Sequence, residues 1–233
     1  MQIKEANDNS KYLGLPNILG RNKSVVFGYL RDKVTANIQG WMEKNVSRSV
    51  KEILIKMVAQ TLPSYAMSVF LLPLELTRDM EKAMAQFFWK STQKNNSKIT
   101  WMAWERMSKH KQAGGLGFKS LRYVNLAMLG KQCWRLITNP DSLVARVYKA
   151  KYYADSDFMS DKLGSSPSFI WRSILEARKV ISAGSSWRIG MGNKIRILDQ
   201  PWLNDMSSPY ISTISPSIIN QNIASLFRSC TKE

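Results

Sequence analysis

Histidine and cysteine are scarce in this 233-residue chain, which holds one histidine, His110, and two cysteines, Cys133 and Cys230. A structural zinc site needs four clustered ligands, so the sequence argues against a zinc site built from protein side chains. Two distant cysteines do not form a disulfide framework, and a reducing compartment is the expectation. No Ser-His-Asp or Cys-His set is credible either. His110 stands between Lys109 and Lys111 and is expected to be an exposed bystander.

Acidic residues are also few, with seventeen Asp and Glu against thirty-four Lys and Arg, a net charge of +17 and a pI of about 10.0. Such a chain attracts polyanions through phosphate neutralisation and counterion release. Nucleic acid is the first expected partner, an anionic membrane surface is the second, and a basic but inert protein stays open. No apolar run reaches the roughly 18 residues that cross a bilayer, so no membrane insertion is expected. No cofactor is predicted, and the expected location is intracellular, with the nucleus favoured.

Apolar spacing predicts a mainly α-helical protein. One apolar stripe predicts a helix of about 20 residues with Ser24 as its N-cap; its members are Phe27, Leu30, Val34, Ile38 and Trp41. The Ser49-x-x-Glu52 pattern predicts a second helix that starts with a capping box. Further helices are expected around Leu76, Met80 and Met84, from Ser120 to Asn139-Pro140, and over 142–152 and 168–182.

Two short β elements are expected at the ends of the chain. Lys11 to Pro16 reads as a strand and turn. Residues 187–189 and 194–198 flank Gly190-Met191-Gly192-Asn193, which predicts a small C-terminal β-hairpin.

Nine short sequence blocks follow one another along residues 11–203. They are Tyr12–Pro16, Leu62–Pro73, Phe87–Trp89, Ile99–Trp104, Gly114–Phe118, Lys131–Leu136, Ser166–Ile174, Trp187–Gly192 and Pro201–Leu203. In this order they resemble the region downstream of the palm in plant LINE-type (non-LTR) retrotransposon reverse transcriptases. The resemblance implies a primer-grip-like segment at Tyr12, Leu13 and Gly14. It also implies four regions: an end-of-palm remnant over 1–20, a thumb-like helical bundle over 21–92, a basic helical connection over 93–183, and a hairpin with an irregular tail over 184–233.

The resemblance does not include the catalytic residues. The Tyr-Ala-Asp-Asp box of such enzymes should precede Tyr12, where only eleven residues stand. The expectation is therefore a truncated, non-catalytic derivative, with Mg²⁺ belonging only to the parent RNA-directed DNA polymerase. Two alternatives stay open: the chain is part of an active polymerase whose missing palm domain is encoded elsewhere, or it is a functionless retroelement relic.

One segment, Tyr153-Ala154-Asp155-Ser156, looks like the polymerase box but lacks its second aspartate. Two-metal phosphoryl transfer needs converging carboxylates. The sequence favours a solvated acidic loop here. Weak binding of a divalent ion by Asp155, Asp157 and Asp161 is the alternative. No metal site is predicted.

Basic residues concentrate in residues 94–152, which hold twelve Lys and Arg against two acids. Cations can follow a phosphate backbone and aromatics can stack on bases. The predicted nucleic-acid-binding residues are Arg31, Lys33, Arg106, Lys109, Lys111, Lys119, Arg122, Lys131, Arg135, Arg146, Lys149 and Lys151. Interleaved aromatics could stack on bases, although helical spacing favours the core for most of them; they are Trp101, Trp104, Tyr123, Trp134, Tyr148, Tyr152 and Tyr153. The expected partner is RNA or DNA, bound without sequence specificity.

Overall fold

The protein is described by a computed structural model over residues 11–12, 14–16, 20–44, 46–90, 100–160, 163–193, 195–198, 200–203, 210–211 and 215–227. These residues are mainly helical, which confirms the predicted fold class. The chain divides into two compact units, Met1–Val180 and Ile181–Glu233. None of the described helices is both long and apolar enough to cross a membrane. The division predicted at residues 20, 92 and 183 stays a prediction.

The described residues form a series of helices and helical turns. The α-helices are α1 (Lys23–Val26), α2 (Gly28–Met42), α3 (Arg48–Leu54), α4 (Ser64–Met67), α5 (Leu74–Trp89), α6 (Trp104–Met107), α7 (Leu121–Thr138), α8 (Leu143–Tyr152) and α9 (Phe169–Gly184). A π-helical turn, Ile55–Ala59, continues α3, and short 3-10 turns occupy Lys111–Ala113, Pro216–Ile218 and Ile223–Leu226.

The first apolar stripe is buried as its spacing predicts. Phe27, Leu30, Val34 and Ile38 are buried, and Trp41 packs against the same core. The predicted cap is wrong, because the Asn22 side chain accepts hydrogen bonds from the Ser24 and Val25 amides. The helix also breaks at Phe27, which separates α1 from α2.

The predicted capping box at Ser49 is also wrong. Helix α3 begins two residues before the expected start, because the Ser47 hydroxyl accepts from the Val50 amide. Glu52 does not turn back to cap the helix, since its Oε1 lies 2.6 Å from the Nζ atom of Lys56.

Helix α5 forms the centre of the main core. Pro73 precedes its first residue, and Leu76, Met80 and Met84 face inward with the spacing that predicted the helix. Helices α2, α3 and α7 all pack against α5. Buried residues of this core run from Leu15 to Leu121.

The turn between α4 and α5 is fixed by two side chains from distant helices. Asn125 on α7 is fully buried; its Oδ1 accepts from the Leu72 amide at 2.8 Å, and its Nδ2 donates to the Met67 and Phe70 carbonyls at 2.7 and 2.9 Å. The Ser173 hydroxyl on α9 accepts from the Leu71 amide at 3.0 Å. The Leu62–Pro73 block, which contains α4, is therefore held in place by side chains of α7 and α9.

Near the N-terminus, two short strands pair antiparallel. Strand β1 (Lys11–Tyr12) pairs with β2 (Leu15–Pro16), with Tyr12 opposite Leu15. Gly14 makes the turn at φ +81°, a conformation that favours glycine. Of the predicted primer-grip segment, Tyr12 and Gly14 therefore lie in this small hairpin, and Leu13 lies outside the described residues.

In the second unit the predicted C-terminal hairpin is replaced by another pairing. Arg196 forms an antiparallel bridge with Asn222, and the Trp187 amide donates to the Pro201 carbonyl at 2.7 Å. Ile195 and Ile197 alternate as in a strand, but they pack with Ile223. The predicted pairing of 194–198 with 187–189 is therefore wrong: the bridge partner of Arg196 is Asn222, 26 residues further along the chain, and the bridge is isolated.

Candidate nucleic-acid interface

The predicted nucleic-acid-binding residues are almost all on the surface. Eleven of the twelve are exposed, and the twelfth, Arg122, is half-buried. Its guanidinium donates to the Leu72 carbonyl at 3.4 Å, so it partly serves the turn before α5. The other eleven side chains are exposed and therefore accessible to a ligand, but their exposure does not identify that ligand.

Two of these exposed cations already have carboxylate partners. Arg31 lies 3.1 Å from Asp32, and Lys111 lies 3.2 Å from Glu52. Glu52 also accepts from Lys56, and this hydrogen bond is the main reason that its pKa lies below the usual value.

Helices α7 and α8 bring six of the predicted cations together. Arg122, Lys131 and Arg135 are on α7, and Arg146, Lys149 and Lys151 are on α8, and the two helices pack against each other. Neither helix contains an acidic residue. Lys131 and Arg135 are one helical turn apart and both exposed, so they project from neighbouring positions on one face.

A second group of cations is carried by the glycine-rich loop between α6 and α7. A Cβ at Gly115 would come 2.1 Å from the Lys109 carbonyl oxygen, so only glycine fits there. The Leu116 carbonyl accepts from the Lys56 Nζ at 2.8 Å, which ties the loop to the π-helical turn that continues α3. The loop thus holds Lys109, Lys111 and Lys119 at the surface, and its glycines allow the close backbone approach that the turn needs.

The interleaved aromatics separate into two sets. Trp104 is buried and stacks on Phe118, with ring centroids 5.3 Å apart. Tyr148, Tyr152 and Tyr153 all stack on the fully buried Trp171, at 5.5, 4.7 and 5.6 Å. The remaining three stay exposed; they are Trp101, Tyr123 and Trp134.

Sequence reasoning missed the role of Trp171 as the centre of this ring cluster. It lies on α9, some twenty residues from the tyrosines that it contacts. The signal available was its position on the inward stripe of α9, with Ile174 and Leu175.

The segment 153–156, which looks like the polymerase box, is held by the packing of Tyr153. Tyr153 is buried in the Trp171 cluster, while Asp155 and Asp157 are exposed. Asp157 Oδ2 accepts from the Met159 amide at 3.3 Å, which closes a turn. Asp161 lies outside the described residues. Within the described ranges, no three His, Cys, Asp or Glu side chains come close enough together to hold a metal ion.

The side chains of His110 and Cys133 both make hydrogen bonds that support the fold. His110 Nδ1 accepts from the Gln112 amide at 3.3 Å and caps the short 3-10 turn. The Cys133 thiol is buried and donates to the Ile174 carbonyl at 3.1 Å, and burial raises its pKa to about 12.

Two curated plant proteins are similar to this chain. It is 39% identical over 145 residues to the uncharacterized mitochondrial protein AtMg00310 of Arabidopsis thaliana, a match over 62% of the chain and 94% of that protein. It is 31% identical over 195 residues to the putative ribonuclease H protein At1g65750 of the same plant, a match over 82% of the chain but only 31% of that protein. No family model matches the chain, and no solved structure does.

The described residues define a mainly helical protein in which six of the chain's Lys and Arg lie on two packed helices that carry no acid. Since the match to the first relative covers nearly all of that protein, the chain belongs to the family of the uncharacterized mitochondrial protein AtMg00310.

Proposed function

We propose that this chain corresponds to the thumb and connection region of a plant LINE-type reverse transcriptase, and that it binds RNA, DNA or their hybrid without sequence specificity. Binding is by Lys and Arg contacts to phosphates, and the chain itself performs no polymerisation. Tyr12, Leu13 and Gly14 are the primer-grip-like positions of this proposal.

The observation that carries the binding proposal is the charge of α7 and α8. Six Lys and Arg lie on these two packed helices, and neither helix has an acid to neutralise them. A phosphate backbone supplies a regular row of negative charges for such a surface.

The retroelement part of the proposal is supported by the ordered sequence blocks and by the second relative. That relative is named as a putative ribonuclease H protein. In the resembled family, a zinc-knuckle or ribonuclease H segment follows the connection region, so a match of this chain to part of such a protein fits the proposed position.

Binding is tested by fluorescence anisotropy with labelled single-stranded RNA, single-stranded DNA and duplex, each titrated over a series of salt concentrations. If all six cations of α7 and α8 contact a single strand, log K should fall with log salt at a slope of about −4. The single-stranded RNA and the single-stranded DNA should differ little in affinity at a given salt. Undetectable binding at low salt, or binding that salt does not weaken, would contradict the proposal.

A second candidate is participation in an active polymerase whose palm is carried by another polypeptide. It is favoured by the match to part of a much longer relative, of which this chain spans 31%. Primer extension with Mg²⁺ or Mn²⁺ separates the two. Product from the purified chain alone would overturn the non-catalytic proposal, and product only after adding a separate palm domain would establish the second candidate.

A further inference from the structure

A cavity of about 370 Å³ opens between α7, α8, α9 and the start of the turn before α5. Its walls are mostly apolar, formed by Val69, Leu136, Val144, Ile170 and Ile174. This volume lies within the range of about 300–1,000 Å³ that is usual for small-molecule sites. All of these residues belong to the first unit of the chain.

Polar groups stand together on the α7 side of the cavity. Gln132, Arg135 and Asn139 line it at successive turns of the helix and its C-terminal end. Amide side chains form paired hydrogen bonds with base edges, and a guanidinium matches a phosphate. No Asp or Glu lines the cavity among the described residues.

The walls of the cavity are fixed by buried hydrogen bonds. Asn125 and Ser173 hold the backbone that follows Val69, through the Leu72 and Leu71 amides. The Cys133 thiol bonds to the carbonyl of Ile174, which ties α7 to α9 at the cavity wall. A preformed cavity costs little ordering on binding, so its apolar walls can contribute fully to affinity.

Tyr148 shows where an aromatic ligand would meet the protein. Tyr148 lines the cavity, and its ring stacks on Trp171 at 5.5 Å and on Tyr152 at 5.8 Å. An aromatic side chain at the cavity is thus already held in place by its neighbours, and aromatic pairs of this kind are favourable contacts for a flat ligand ring.

We infer that this cavity receives one unpaired base of a single-stranded polynucleotide, with Gln132 and Asn139 at the base edge and Arg135 at the adjoining phosphate. The inference rests on the proposed function, because the cationic helices α7 and α8 bring the strand to the cavity. A paired base is enclosed in its duplex and cannot enter, so the cavity selects for single strands.

The test compares two single strands of equal length and charge, an ordinary DNA of about 12 nucleotides and the same strand with abasic sugars. The ordinary strand should bind about fivefold or more tightly, the gain expected from one stacked base. Val144→Phe, which fills the cavity mouth, should bring the two affinities close together. Val147→Phe is the matched control: Val147 is on the same helix, 55% exposed against 57% for Val144, and does not line the cavity.

Photocrosslinking gives a reading that does not depend on a variant. A strand carrying 4-thiothymidine should crosslink to Tyr148 or to another residue lining the cavity. Crosslinks confined to the exposed rings of Trp101, Tyr123 and Trp134 would place the bases on the outer surface and overturn the inference.

The remaining outcomes separate this inference from the proposal beneath it. Equal affinity of the wild type for both strands would overturn the base site and leave phosphate binding intact. No binding of either strand would overturn the proposed function itself. If the wild type forms a dimer in sedimentation that Val144→Phe disperses, the cavity is occupied by a second copy of the chain and the inference fails.

Discussion

The side-chain oxygen of Asn125 accepts a 2.8 Å hydrogen bond from the backbone amide of Leu72, fifty-three residues earlier in the chain. The amide nitrogen of the same side chain donates to the Met67 and Phe70 carbonyls. One fully buried polar residue thus satisfies three backbone groups of the turn that joins α4 to α5. The same segment between α4 and α5 contributes Val69 to the cavity wall.

Replacing Asn125 by leucine should lower the free energy of unfolding by about 3 kcal/mol or more, because three buried backbone groups lose their partner. Urea unfolding measures the change. Asn37→Leu is the control, since the Asn37 side chain bonds only within α2, to the Lys33 carbonyl near the surface. A loss below about 1 kcal/mol for Asn125→Leu would contradict the role assigned to this residue.

Lys56 and Lys111 share the carboxylate of Glu52 but should differ in their effect on stability. Lys56 is the more enclosed and also donates to the Leu116 carbonyl at 2.8 Å, whereas Lys111 is mostly exposed. Lys56→Met should cost about 1–2 kcal/mol after screening by solvent, and Lys111→Met less than about 0.5 kcal/mol. Both variants remove one positive charge, so equal losses in urea unfolding would show that the loop contact contributes nothing.

Glu81 should make stability depend on pH in an unusual direction for a carboxylate. Its Oε1 accepts from the Leu121 amide at 2.7 Å at the start of α7, but burial dominates and raises its pKa above 4.5. The folded state therefore holds this proton more tightly than the unfolded state. The resulting stabilisation is complete below pH 4.5 and is lost as pH rises through the folded pKa.

Glu81→Gln keeps an oxygen for the Leu121 amide and removes the buried charge. The unfolding free energy of the variant, relative to that of the wild type, should therefore increase as pH rises from about 4.5 towards 7. Urea midpoints across that range test the sign. A relative stability that falls with rising pH would mean that the ionised carboxylate is stabilised in the fold.

Cys133 should be chemically inert in the folded protein. Burial raises the pKa of its thiol to about 12, and the thiolate is the reactive form. Cys230 lies outside the described residues, so the measurement uses a Cys230→Ser background with one remaining thiol. A disulfide reagent at pH 8 should label Cys133 only after urea is added. Rapid labelling without urea would show that the packing between α7 and α9 opens readily.

Much of the fold was predictable because its apolar residues repeat locally. Leu76, Met80 and Met84 predicted α5, and Asn139-Pro140 predicted the end of α7, because helical period and proline chemistry depend only on neighbours in sequence. Helix starts were less predictable. Asn22 and Ser47 compete with nearby serines as caps, and packing decides which one is used.

Contacts between distant segments could not be predicted. Nothing near Asn125 in sequence indicates that it binds the turn around Leu72, and the Arg196 bridge to Asn222 competes with a plausible local hairpin. For the candidate site, the cations themselves were predicted from composition. The spacing of Gln132, Arg135 and Asn139 places them on one face of α7, but that this face borders a cavity depends on how α7, α8 and α9 pack.

The central claim is that the cations of α7 and α8 hold a polynucleotide strand. The direct test neutralises Arg146, Lys149 and Lys151 of α8 together by glutamine and compares a control triple, Lys44, Arg78 and Lys82, that removes the same charge elsewhere on the exposed surface. The salt dependence of single-strand binding is measured by anisotropy for both. We expect the slope of log K against log salt to become shallower by about 2 for the α8 triple, from about −4 to about −2, and to change much less for the control. Equal slopes for the two triples, or a wild type that binds no strand at low salt, would contradict it.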